Sequence, residues 1–268
     1  MGSSFGKNIN VSIFGQSHSA SIGVVIDGLP AGHRIDLEKL GQFMSRRAPG
    51  RNEYSTQRSE SDTPVILSGL KDGVLCGAPF AAVIKNTDAV SRDYSELSDK
   101  PRPGHADFTA QMKYNGTQDH SGGGHFSGRL TAPLCIAGGI MLQLLEEEGI
   151  KVGAHICEIA GVRDFSFDPV NVSEEDFDRL RASSFPVNDP EAGEIMKTAI
   201  SAAKKAGNSV GGIIECAAIG LPAGVGDPMF DGMENMIACT VFAVPAVKGI
   251  EFGSGFAGSR SMGSANND

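Results

Sequence analysis

Five apolar runs of four or five residues, rich in Val and Ile, recur along this chain at residues 10–14, 22–26, 64–67, 80–84 and 210–214. Their length suits strands, and the glycines around them supply turns. Helix-period patterns fill the intervals. Asp36 can cap a helix with Leu37, Leu40, Phe43 and Met44 as its apolar stripe, ending near Arg47 before Pro49-Gly50. Asp189-Pro190 opens a second, with lysines Lys204 and Lys205 at its end and Gly207 after it. Residues 128–148 read as a third, apolar enough to be buried. Strands interleaved with helices predict a layered α/β fold of the α+β kind.

An internal echo extends that expectation. Gly28-Leu29-Pro30-Ala31-Gly32 recurs as Gly220-Leu221-Pro222-Ala223-Gly224, each after a strand pattern and ahead of a helical one. The echo predicts pseudo-repeated halves within a single domain spanning 1–268. A chain of 268 residues can bury a sizeable core without disulfide or metal staples.

The formal charge is −9 and no long basic run interrupts it, which argues against nucleic acid and anionic membranes as partners. The charge is unevenly spread. Residues 33–58 carry six basic side chains against three acidic ones, whereas residues 146–197 carry thirteen acids against five bases. A basic island in an acidic protein suits a small anionic ligand. The five cysteines (Cys76, Cys135, Cys157, Cys216, Cys239) form no C-x-x-C pair and read as reduced, mostly buried thiols of a cytoplasmic protein. The first fifteen residues lack a signal-peptide pattern, and no window is expected to reach the length of a membrane span.

Four segments concentrate chemistry. Phe14-Gly15-Gln16-Ser17-His18-Ser19 presents a serine and a histidine where a strand meets a turn. Arg46-Arg47-Ala48-Pro49-Gly50-Arg51 continues to Thr56-Gln57-Arg58-Ser59-Glu60. Arg102-Pro103-Gly104-His105-Ala106-Asp107 is the third. The fourth runs from Asp119 through Gly122-Gly123-Gly124-His125-Phe126-Ser127 to Arg129, a glycine loop leading into a helix. Arginine forks bind phosphate and carboxylate, glycine loops at helix starts offer backbone N–H groups to anions, and histidine exchanges protons near neutral pH. Together they read as proton transfer on a phosphorylated acid.

Plainer readings stand beside each piece. A glycine loop without Walker or dinucleotide spacing is also an ordinary surface turn, and a lone turn histidine is also an ordinary structural residue. Ser17-His18 suggests a hydrolase, but Ser19 sits where G-x-S-x-G needs glycine. A metal-dependent hydrolase using His18, His120 and His125 is a further alternative, although the spacing matches no standard zinc pattern and no metal is expected. His33 and His155 read as structural.

Taken in order, the segments resemble the chorismate synthase family. FGQSHS at Phe14 to Ser19 is similar to the family's F-G-E-S-H-G, and Arg46 to Glu60 resembles R-R-x-P-G with T-x-R-x-E. RPGHADF at Arg102 to Phe108, followed by Lys113-Tyr114, resembles R-P-G-H-A-D-Y, and GGGHFSGRLTA at Gly122 to Ala132 resembles G-G-G-R-S-S-A-R-E-T-A. Ala246 to Glu251 is similar to A-V-K-G-V-E.

The resemblance implies a β-α-β-α sandwich, a cytoplasmic homotetramer, and a lyase that converts 5-enolpyruvylshikimate 3-phosphate to chorismate and phosphate by anti-1,4-elimination. It implies reduced FMN as cofactor and NADPH as a reductant. Carried over residue by residue, His18 would protonate the departing phosphate and His105 would hold the proton at the reduced flavin. Ser17, Arg47, Arg58, Arg102 and Arg129 would bind substrate. His125, Phe126, Ser127 and Ala246 would contact flavin.

The sequence departs from the family pattern in four ways. Gln16 replaces an acid, and His125 replaces an arginine, so that flavin affinity is expected to depend on pH. Glu53 stands where many members carry the second arginine of an NADPH site, with Arg51 nearby. The family's A-G-G-I-L-G-G-I, K-P-T-S-S and R-H-D-P segments are absent from the sequence. The expectation is therefore a fragment or shortened product that binds FMN poorly, with an inactive, phosphoanion-binding fragment as the alternative to the enzyme.

Overall fold

The computed structural model describes residues 2–50, 54, 60–86 and 100–266. Strand β1 (Ser4–Phe5) pairs with β2 (Asn10–Gly15), β2 with β3 (Ser21–Asp27), β3 with β7 (Phe80–Lys85), and β7 with β4 (Val65–Ser68). Strands β5 (Leu70–Lys71) and β6 (Val74–Leu75) form a small hairpin. A second sheet has the order β10 (Gly212–Ile219), β8 (Lys151–Ile159), β9 (Val162–Arg163). Every pairing among the described residues is antiparallel. The layered α/β expectation is met in its α+β form.

The core follows from two periodicities. Alternate residues Ile22, Val24 and Ile26 of β3 lie opposite Ile84, Ala82 and Phe80 of β7, so one sheet face is continuously apolar and buried. Helices α1 (Leu37–Arg47) and α3 (Thr131–Glu147) contribute Leu40, Met44, Ala132, Ile136 and Ile140 at four-residue spacing to the same core. Asp36 caps α1 by accepting from Glu38 and Lys39 N–H, an arrangement worth about 1 kcal/mol. Gln143 of α3 then holds the cap residue itself, accepting from Asp36 N at 2.8 Å and donating to Asp36 O at 3.1 Å. A buried amide thereby fixes the angle between the two helices. Helices α4 (Glu174–Ala182) and α5 (Pro190–Lys205) pack on β8, and α3 also reaches β8, joining the two sheets.

The pentapeptide echo is structural. Gly28 follows β3 and Gly220 follows β10, both at positive φ, and each unit leads to a helix, α1 or α6 (Met233–Val241). A Cβ at Gly28 would lie 2.1 Å from Asn8 O, and one at Gly220 would lie 2.3 Å from Gly149 O. The same close backbone approach recurs because both turns fold against the chain entering the neighbouring strand.

Three expectations need correction. The 210–214 strand occupies Gly212–Ile219 instead, because β8 supplies pairing partners from Ile159 to Lys151 and so sets its extent. One described segment, Gly128–Glu147, is long and apolar enough to cross a membrane, with mean hydropathy 1.4; here it is a core helix whose buried residues face the first sheet and α1. The cysteines are free but not mostly buried: Cys76, Cys216 and Cys239 are exposed, and Cys135 and Cys157 are half-buried. Small side chains beside apolar residues lie on the outward faces here as readily as on the inward ones.

Candidate active site

The β2 strand ends at Gly15, and the tight turn after it is tied by Ser19, whose hydroxyl meets Gln16 N and donates toward Ser21 O. This turn drives Ser17 inward. Ser17 is fully buried, its N–H donates to Gly124 O at 3.0 Å, and its hydroxyl has no partner among the described residues. A buried hydroxyl of this kind is costly unless a ligand completes it.

Gly122, Gly123 and Gly124 all have positive φ, which lets the 119–126 loop press its backbone against two imidazoles. A Cβ on Gly122 would fall 2.1 Å from His18 Cε1 and 2.8 Å from Ser17 Oγ. A Cβ on Gly123 would fall 3.1 Å from His105 Cε1, 3.2 Å from its Nε2 and 3.5 Å from Arg102 Nη2. Consecutive glycines thus bring His18 and His105 to one loop from segments 87 residues apart in sequence.

His105 belongs to a compact ion cluster at the start of α2 (Asp107–Lys113). Its Nδ1 lies 2.6 Å from Asp107 Oδ1. Arg102 donates to Asp107 Oδ2 from its backbone N at 3.0 Å and from Nε at 2.8 Å, and to Oδ1 from Nη2 at 2.9 Å. The Arg102 hydrogen bonds hold the Asp107 carboxyl far below the usual carboxylate range.

The other described arginines are also paired. Arg47, at the end of α1, reaches Asp62 Oδ2 at 2.5 Å and donates to Thr131 Oγ1 at 3.2 Å. Arg129, only 4% exposed, is clamped by Asp62 and Glu60 and donates from Nε to Asn86 Oδ1 at 3.3 Å. Asn86 in turn donates to Gln16 O and Ser19 O, linking the arginine network to the His18 turn. Arg102 is 35% exposed and Arg47 22%, so they offer the accessible positive charge among these three. Arg58, Arg51 and Glu53 lie outside the described residues.

The expected flavin segment is split. His125 turns toward β1, with Nδ1 donating to Gly15 O and Nε2 bonded to Ser3 Oγ, both at 2.7 Å. A neutral imidazole satisfies both contacts. Ser127 Oγ accepts from Arg129 N and caps the short turn into α3. Phe126 is 40% exposed, its ring 6.3 Å from that of Tyr114. Gln16, Tyr114, Thr117, Gln118, Asp119, His125 and Phe126 line a cavity of about 240 Å³. That is below the roughly 300–1,000 Å³ of complete ligand sites, so it can enclose part of a flavin-sized molecule. Ala246 is exposed at φ +72, with no described hydrogen bond to these residues.

Reading the sequence missed Asp62, Glu60, Asn86 and Asp107. Asp107 and Glu60 sit inside motifs already singled out; Asp62 and Asn86 gave no separate signal, because only folding sets them against arginines distant in sequence. His120 and His125 do not assemble with His18 into a metal cluster, and no group of three or more His, Cys, Asp or Glu among the described residues could hold an ion.

Two imidazoles, a buried hydroxyl and partly exposed guanidinium groups around one glycine loop form an arrangement that can move protons on a small anion. That is the class of enzyme the fold and site define. The family model for chorismate synthase matches residues 9–268, and the chain belongs to the chorismate synthase family. The chorismate synthase of Lancefieldella parvula is 45% identical over all of this chain and 73% of its own length. That of Korarchaeum cryptofilum is 42% identical with the same coverage, and that of Thermococcus kodakarensis is 44% identical over 98% of this chain and 72% of its own. A crystal structure of chorismate synthase superposes with a TM-score of 0.78 at 27% identity, covering 98% of this chain and 73% of that one.

Proposed function

We propose that this site converts 5-enolpyruvylshikimate 3-phosphate to chorismate and phosphate by anti-1,4-elimination with reduced FMN. Family membership makes the chain a lyase of the shikimate pathway. The observation that carries the residue-level reading is the seating of His18 and His105 against the consecutive glycines Gly122 and Gly123.

The residues present fit a flavin and a phosphorylated acid: Ser17 keeps a buried, uncompleted hydroxyl, the glycine loop is open where side chains would fill it, and Phe126 offers an exposed ring face. Reduced flavin, when bound, supplies transient electron donation that helps a C–O bond break without net oxidation. His18 donates a proton to the departing phosphate. His105 would hold a proton for the reduced flavin, Ser17 would bond to the substrate, and Arg47, Arg58 and Arg102 would bind the substrate's anionic groups. Arg129 is sealed behind Asp62 and Glu60, so its part is to fix the wall on which Arg47 rests. Phe126, His125, Ser127 and Ala246 would hold the flavin.

The protein works as a cytoplasmic homotetramer, with NADPH as the source of electrons. An assembly larger than one chain is supported by the second half of the fold, where no described residue after Met196 is buried and Met229, Phe230, Phe256 and Met262 are each largely exposed. Matches to enzymes across the whole chain favour catalysis over simple anion binding.

The test is phosphate release from the enolpyruvyl substrate under anaerobic conditions with reduced FMN. Release that needs no flavin and stops with a chelator would sink the assignment in favour of a metal-dependent hydrolase.

A further inference from the structure

We propose that Asp107 is a positioning residue that locks neutral His105 as the Nδ1–H tautomer and leaves Nε2 facing the glycine loop for proton exchange. The inference deepens the role given to His105 above and rests on that reading only for its catalytic meaning.

Three hydrogen bonds and one close contact carry it. Asp107 is nearly buried; its Oδ2 takes the backbone N and Nε of Arg102, and its Oδ1 takes Nη2 of Arg102 and lies 2.6 Å from Nδ1 of His105. Such a carboxylate has only acceptor capacity, so the imidazole nitrogen 2.6 Å away must be the donor. The proton of neutral His105 is then on Nδ1. Arg102 Nη2 lies 3.2 Å from Nδ1 and 3.4 Å from Nε2, nearly equidistant, which places it against the ring and not along one lone pair. On the other side, the missing side chain of Gly123 leaves Nε2 open, since a Cβ there would sit 3.2 Å from it.

A plainer role for Asp107 is as an acid in the first turn of α2, where it favours the helix dipole. An amide separates the two roles. In Asp107→Asn the carbonyl oxygen is drawn to the two Arg102 donors at the Oδ2 position, and the NH2 group then occupies the Oδ1 position, where it displaces Arg102 Nη2. There it donates to His105 Nδ1 and drives the ring proton to Nε2. The helix start keeps a polar residue; the histidine loses its free face.

The experiment is a long-range 1H–15N correlation spectrum of the 15N-labelled chain at roughly pH 8, above the usual imidazole range. The His105 signals are assigned by their loss in His105→Gln. Expected is an Nδ1–H tautomer in the unchanged protein and an Nε2–H tautomer in Asp107→Asn. An Nε2–H tautomer in the unchanged protein overturns the proposal whether or not the variant folds, and so does the same tautomer in both. In turnover, Asp107→Asn should lower kcat by about 100-fold to 10,000-fold, with the larger share of the loss in kcat and not in KM. If the tautomers are as stated while His105→Ala retains near-normal phosphate release, Asp107 still positions the ring and the proton-carrying role of His105 is what fails.

Discussion

Gly122 and His18 stand so close that any side chain at residue 122 would overlap the imidazole, with a Cβ only 2.1 Å from Cε1. The loop backbone is therefore the surface that sets where His18 points. Gly122→Ala meets both this contact and the positive φ of +64, a backbone cost of about 1–3 kcal/mol. The imidazole has to move, and a displacement of about 1 Å in a reacting group can cost a factor of about 100 in rate. Turnover should fall at least that far while the far-ultraviolet circular dichroism spectrum stays native. Unchanged turnover would show that the loop does not aim His18.

Removal of either proposed proton carrier should be severe and separable. His18→Ala and His105→Ala should each reduce phosphate release by about 100-fold to 10,000-fold, the usual range for a lost general acid or base. Single-turnover measurements with saturating flavin are the check. Near-normal rates in both variants would remove the assigned roles.

Asp62 is a structural keystone more than a surface charge. It is 1% exposed, at φ +50, and bridges Arg47 of α1 to Arg129 ahead of α3. Asp62→Ala removes a carboxylate shared by two guanidinium groups, one of them buried, and should cost about 3–5 kcal/mol in urea unfolding. Asp62→Gly loses the same ion pairs without the left-handed backbone penalty, so it should be the less damaging of the two. A loss below about 1 kcal/mol in both would mean the pairs add little.

The acid limb of the stability curve should report on Asp107. Hydrogen bonds from Arg102 depress its folded-state ionisation below that of the unfolded chain, so its contribution is complete above the unfolded value near 3.9 and fades as pH falls through the lower folded value. Asp107→Asn should melt at a lower temperature than the unchanged protein at neutral pH, and the gap should narrow below about pH 4. A gap that stays constant from pH 7 to pH 3 would contradict the ion cluster.

How much of this was legible beforehand follows from the range of each signal. Period-two and period-four apolar patterns gave β2, β3, β7, α1 and α5 nearly to the residue, since the residues that make each element are adjacent in sequence. The capping aspartates Asp36 and Asp189 were visible for the same reason. Strand β8 carries no comparable pattern, and the extent of β10 depended on a partner about 60 residues away. His155 looked structural and is so: it is buried, with Asp164 Oδ2 at 2.9 Å from one ring nitrogen and Glu215 Oε2 at 2.6 Å from the other. Its partners could not have been named from the chain.

The sequence by itself determined strands β2, β3 and β7, helices α1, α3 and α5, the glycine loop, and the motifs that carry the family resemblance, because these are written in neighbouring residues and local backbone preference. Tertiary structure alone decided that His18 and His105 share one loop, that Arg129 is spent on Asp62 and Glu60, and that His125 turns toward β1. Those outcomes depend on which distant groups must satisfy one another once water is excluded. A buried charge takes whatever partner the packed fold brings within reach.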